Sequence, residues 1–143
     1  MQPMLKLGDT EIARIGLGTN RLTNTSEHIA FVKEAVAAGL SHIDTAHTYT
    51  AGDSEETIGT ALSPIPDGCV VATKGGYRAG EGRPEALAAQ IDESLRRLRT
   101  DSIALYYLHE AGFKRAWRVA EFDLFPDTSR APQPRRFPAE HVQ

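Results

Sequence analysis

Apolar residues follow two different periods over the first 110 positions, and the alternation between these periods predicts the elements of the fold. Four short stretches, Ile15 to Gly18, His42 to Thr45, Val70 to Thr73 and Ile103 to Leu108, read as strands. Between them lie segments with apolar residues at helical spacing. In the first, Ile29, Val32, Ala35 and Val36 form one stripe, which Ser26 can cap and Gly39 ends. Asp53 with Glu56 has the spacing of a capping box and predicts a second helix to about Leu62, where Pro64 and Pro66 forbid continuation. Pro84 suits the first turn of a third helix, whose Leu87, Ile91, Leu95 and Leu98 share a face. Ahead of all these, Leu5 to Leu7 and Ile12 to Arg14 flank the turn residues Gly8 and Asp9, which predicts a small β-hairpin.

The order after the hairpin is β-α-β-α-β-α-β. Strands separated by helices long enough to cross over imply an α/β fold with a parallel sheet covered on its outer face. An open doubly wound sheet usually carries a glycine-rich phosphate turn after its first strand, but GLGTN lacks the third glycine of GxGxxG. The polar residues gather instead at the C-terminal ends of strands two, three and four. That is where a (β/α) barrel builds its active site.

Composition narrows the function classes. Hydrophobic residues make up 41% and charged residues 24% of the 143, with a net charge of −3, so no general attraction to nucleic acid or membrane is expected. No apolar run approaches the ~20 residues of a membrane helix, and no signal-type start is present. The one cysteine, Cys69, lies in the apolar run CVVATK and is expected to be a buried small residue in a reducing, cytoplasmic setting.

Asp44 closes strand two with Tyr49 five residues on, Lys74 closes strand three and His109 closes strand four. In neighbouring strands of one barrel these four meet at one rim. The combination suits acid catalysis by a phenol, because an ordinary tyrosine, with a pKa of about 10, is a poor proton donor near neutrality. An adjacent ammonium favours the phenolate, a carboxylate holds the ammonium, and an imidazole can orient the carbonyl oxygen that takes the proton. His42 shares the parity of Asp44, so a barrel metal hydrolase using His42, Asp44 and His109 is the rival, although HIDTA already fits the first reading with no metal. The glycines at 75, 76, 80 and 82 predict a mobile loop that has no Lys-Ser or Lys-Thr to make it a phosphate cradle.

The segments GLGTN, HIDTAHTY, GDSEETIG, ATKGG and LYYLH are similar, in order and spacing, to motifs of the aldo-keto reductase superfamily, and the resemblance covers about residues 5 to 110. It implies the first half of a (β/α)8 TIM barrel, with about four parallel strands behind the N-terminal hairpin. It also implies Tyr49 as proton donor, Asp44 and Lys74 as its tuning pair and His109 as the group that positions a small-molecule carbonyl substrate. The implied cofactor is NADPH, with Gly18, Thr19, Asn20 and Asp44 near its nicotinamide end.

Beyond residue 110 the likeness ends. Residues 111 to 143 hold four of the five Phe, the only Trp and four of the eight Pro, and carry six Lys plus Arg against four Asp plus Glu. Two domains are therefore expected: 1–110 as the half barrel and 111–143 as an irregular tail, with a short helix over 113–122 followed by disorder. The favoured expectation is a truncated or frameshifted reductase, inactive as an isolated chain, because the cofactor's phosphate contacts belong to later strands. The competing expectation is a noncatalytic assembly module that uses the basic aromatic tail. A half barrel also leaves two open sheet edges, which invites self-association.

Overall fold

The computed structural model describes residues 4–109; the expected helix over 113–122 and the tail lie outside the described residues. Strands β1 (Met4–Leu7) and β2 (Thr10–Ala13) form an antiparallel hairpin in the register Leu5 to Ile12, turned at Gly8 with φ 61°. Ile12 is buried, and Ala13 N donates to Ser41 Oγ, which ties the hairpin to the body.

The body is a four-stranded parallel sheet in sequential order: β3 (Leu17–Gly18), β4 (His42–Asp44), β5 (Val70–Gly75) and β6 (Leu105–Leu108). Sequential neighbours joined by helices are what a (β/α) barrel requires, and half of such a barrel is the observed architecture. Two strands are shorter than their apolar runs. The first is limited by its partner: β4 has only three residues, so β3 forms two rungs, Leu17 with Ile43 and Gly18 with Asp44, and Ile15 is left 71% exposed. The last begins at Leu105 because its ladder starts opposite Ala72, and Ile103 packs against the core from the preceding loop.

Helices α1 (Ser26–Ala37), α2 (Asp53–Leu62) and α3 (Pro84–Leu98) cover one face of the sheet. The core lies between them: Val32 of α1, Ile43 of β4, Ile58 and Leu62 of α2, Val71 of β5 and Leu98 of α3, with Leu22 closing one end. Because side chains alternate along a strand, burying Ile43 and Val71 against the helices sends Asp44 and Lys74 to the opposite, inward face.

Local signals at the helix ends were read one residue out. Thr25, not Ser26, caps α1, its hydroxyl accepting from His28 N. The expected capping box of α2 does not form, because Gly52 takes the cap position with φ 102° and Asp53 is already helical. Asp53, Glu55 and Glu56 still place three acids in the first turn, where the helix dipole favours them. Gly59 is required for packing, since a Cβ there would collide with the backbone of Arg97 and Leu98, and this close approach brings α2 against the last turn of α3.

Candidate active site

The loop that follows β4 carries the phenol. His47 N donates to Lys74 O (2.9 Å) and Thr45 N to Ala72 O (2.9 Å), so the chain leaving β4 stays paired to β5 for three residues past the strand. It then turns sharply through Tyr49–Gly52, with Thr50, Ala51 and Gly52 all left-handed at φ 48°, 58° and 102°. A β-branched threonine in this region is strained, and strain of this kind persists only where the surroundings hold it. Thr50 Oγ1 donates to Leu22 O, which is one such restraint.

Lys74 is nearly enclosed, with 12% of its side chain exposed. Its ammonium donates to Asp44 Oδ1 (2.9 Å), Asp44 Oδ2 (2.8 Å) and Thr45 O (2.7 Å). Those three bonds use all three of its donors and fix its place. It lies 4.9 Å from the centre of the Tyr49 ring, and that ring meets His109 edge-on with centroids 5.8 Å apart. The four residues singled out from sequence therefore gather at one place. His109 is anchored by its own N–H to Gly75 O (2.6 Å), and Tyr77, from the glycine-rich loop, lies against its ring at 4.9 Å.

Burial, and then the Lys74 ammonium, hold His109 below the ordinary histidine pKa, with Asp44 opposing them. The imidazole is thus neutral at neutral pH and keeps one N–H to offer a carbonyl oxygen. The unfolded chain binds that proton more readily than the folded one, so stability is unaffected above the unfolded value of about 6.5, erodes as pH falls through it, and levels off below the folded value. Urea unfolding between pH 7.5 and 5 should show a midpoint that falls further in wild type than in His109→Gln; parallel curves would contradict the assignment.

The residues expected near a cofactor divide. Gly18 is exposed, and a Cβ built there meets nothing within 4 Å, which leaves open space beside the Asp44 carboxylate. Asn20 is also exposed. Thr19 is 1% exposed and turned inward: its hydroxyl donates to Asp44 O (2.9 Å) and accepts from Ser54 Oγ (2.8 Å), which in turn bonds Thr45 Oγ1 (2.8 Å). Its part is to brace the strand end that bears Asp44. The ligand set of the metal rival is absent: no three His, Cys, Asp or Glu side chains group closely enough for an ion among the described residues. No helix of the described residues is long and apolar enough to cross a membrane. Cys69 is half-buried, and burial raises its thiol pKa, which disfavours the reactive thiolate.

Sequence reasoning missed a second polar cluster behind the first. Glu55, fully buried on α2, accepts from Thr73 Oγ1 (2.6 Å) and from Arg97 Nη1 (3.3 Å). Arg97 also donates to His47 O (3.0 Å) and, through Nη2, to Glu93 Oε1 (2.8 Å), while His47 Nε2 contacts Glu93 Oε2 (2.8 Å). The hydrogen bond with His47 holds the Glu93 carboxyl below its usual range. A signal was available, because Glu55 shares the helical stripe of Ile58, Gly59 and Leu62, all of them buried. A charged residue on an apolar stripe needs a buried partner.

Comparison with known proteins gives the family. The model of the aldo/keto reductase family matches residues 14–121, running past the boundary expected at residue 110. An uncharacterized oxidoreductase of Bacillus subtilis, YqkF, is 34% identical over 115 residues, which cover 73% of this chain and 38% of that protein. The methylglyoxal reductase YeaE of Escherichia coli is 32% identical over 109 residues, covering 73% and 38%. Among solved structures, aldo-keto reductase AKR11C1 from Bacillus halodurans (holo form) superposes with a TM-score of 0.65 at 28% identity, covering 76% of this chain and 40% of that one. An aldo-keto reductase from Klebsiella pneumoniae in complex with NADPH gives 0.61 at 34%, covering 72% and 37%. The chain thus spans about 38% of the length of the curated relatives it matches.

Proposed function

We propose, from the premise that this chain belongs to the aldo/keto reductase family, that its rim is the proton-delivering half of an NADPH-dependent carbonyl reductase acting on small aldehydes or ketones. The observation that carries this reading is the gathering of Asp44, Lys74, Tyr49 and His109 at one strand-end rim, with the ammonium 4.9 Å from the phenol ring. The substrate class is supported by the relative named for methylglyoxal reduction, and the cofactor by the neighbour solved with NADPH.

In the proposed reaction a carbonyl oxygen lies between the Tyr49 hydroxyl and the His109 imidazole. The neutral imidazole orients that oxygen, and Tyr49 gives it a proton while the carbonyl carbon becomes that of an alcohol. The negative charge left on the phenol is stabilised by the Lys74 ammonium, which Asp44 and Thr45 O keep from swinging away. NADPH, when bound, supplies the hydride. Gly18, Asn20 and Asp44 would hold its nicotinamide end, and the open surface at Gly18 beside a carboxylate with 41% of its side chain exposed fits a flat ring and a ribose hydroxyl.

The inactivity expected of the isolated chain is part of the same proposal, in a form that depends on concentration. The phosphate contacts of the family are expected from later strands. Two missing charge-assisted hydrogen bonds, at ~1.5–3 kcal/mol each, would weaken NADPH binding by roughly a hundredfold to ten-thousandfold. The 143-residue protein should therefore be silent with a small aldehyde at micromolar NADPH and show slow NADPH oxidation, with alcohol formed in equal amount, at millimolar NADPH. No alcohol at the higher concentration would count against the reading. A cytoplasmic location belongs to the proposal too, supported by a lone half-buried cysteine in place of a disulfide framework.

A further inference from the structure

We infer that Arg97 is a positioning residue for the proposed proton donor: from α3, behind the ring of strand ends, it clamps the loop on which Tyr49 sits. The inference deepens the reading of Tyr49 given above and rests on it.

Between Ala46 and Asp53 the chain makes a turn that it would not adopt unaided, with Thr50 and Ala51 both left-handed. The Arg97 guanidinium fills the hollow of that turn. A Cβ on residue 52 would lie 2.5 Å from Arg97 Cζ, so glycine is needed there both for its φ of 102° and for the room the guanidinium takes. From this hollow Nη1 reaches the His47 carbonyl, two residues before Tyr49, while Glu93 binds both Arg97 Nη2 and the His47 ring. Glu55, itself pinned by Thr73 of β5, accepts from the same Nη1. The main chain and the side chain of His47 are thus both fastened to α3, and through Glu55 to the strand that bears Lys74.

Geometry explains why arginine stands here. The planar fork addresses the His47 carbonyl and two carboxylates at once, whereas a lysine ammonium is a compact point charge that cannot span them. Arg97 makes none of the contacts that join Tyr49, Lys74 and His109. Its influence on them passes through the loop, and removing the fork releases the strained turn.

The test is NMR on the full 143-residue chain, reading the cross-peak between the Tyr49 and His109 rings and, as a control, the methyl shifts of Ile43, Ile58 and Leu98. Two variants are compared with wild type: Arg97→Lys, which keeps the charge opposite Glu55, and Arg97→Gln with Glu55→Gln, which removes both charges together. The ring cross-peak should be lost in each folded variant while the core methyl shifts stay in place; if the double variant unfolds, Arg97→Lys decides alone. A cross-peak of wild-type intensity in Arg97→Lys would overturn the inference, and so would core methyls that move along with its loss, since that marks a general packing role. Because NADPH oxidation plays no part in this readout, failure of the reductase reading and failure of the clamp are separate results.

Discussion

Glu55→Ala should lower the unfolding free energy by about 2–4 kcal/mol, because it takes a fully buried acceptor from Thr73 Oγ1 and from a guanidinium with 13% of its side chain exposed, which then keeps only Glu93 and the His47 carbonyl. Such a loss is a large share of the ~5–15 kcal/mol that holds most domains together. It exceeds what the truncated methylenes alone would cost, since Thr73 Oγ1 loses its acceptor inside the protein as well. The control is the double change Glu55→Leu with Arg97→Met, which replaces the charged pair by apolar groups of similar volume and should recover the share of the loss that comes from the charge, while Thr73 Oγ1 still lacks its acceptor. Urea unfolding of the three proteins measures this. A cost below about 1 kcal/mol for the single change is typical of an exposed pair, and would mean that water reaches these groups.

Much of the fold was legible because its periods are strong and its interruptions chemical. Four strands, three helices and the hairpin were all expected, and the inward placing of Asp44 and Lys74 follows from strand parity once Ile43 and Val71 are taken as core, whereas His109, one residue past β6, takes its place from its pairing with Gly75. Tyr49 was legible from its place five residues past Asp44 and from its resemblance to a family motif, since a loop aromatic has no period of its own. Pair geometry was not legible. Whether β3 would have two rungs or four depends on the length of β4, and whether Asp53 would cap or enter α2 depends on the left-handed Gly52 before it. The Glu55 to Arg97 contact joins residues 42 apart in sequence and appears only when α2 and α3 approach at Gly59. Thr19 illustrates the same limit: the family resemblance implies a place near the cofactor, and the fold turns its side chain inward to brace Asp44.

The most demanding consequence concerns the phenol. Tyr49→Phe keeps the ring, its edge-on contact with His109 and its place near Lys74, and removes one oxygen. If that oxygen delivers the proton, its loss removes general acid catalysis, worth roughly 10²–10⁴ in rate. Binding should change little, because the substituted ring fills the same space. The decisive measurement is the rate of aldehyde-dependent NADPH oxidation at millimolar NADPH in wild type and Tyr49→Phe, with urea unfolding as a check on folding. A fall of about 10²–10⁴ in a variant of unchanged stability is the expected result, and equal rates in the two proteins would contradict the assignment of Tyr49 as the acid.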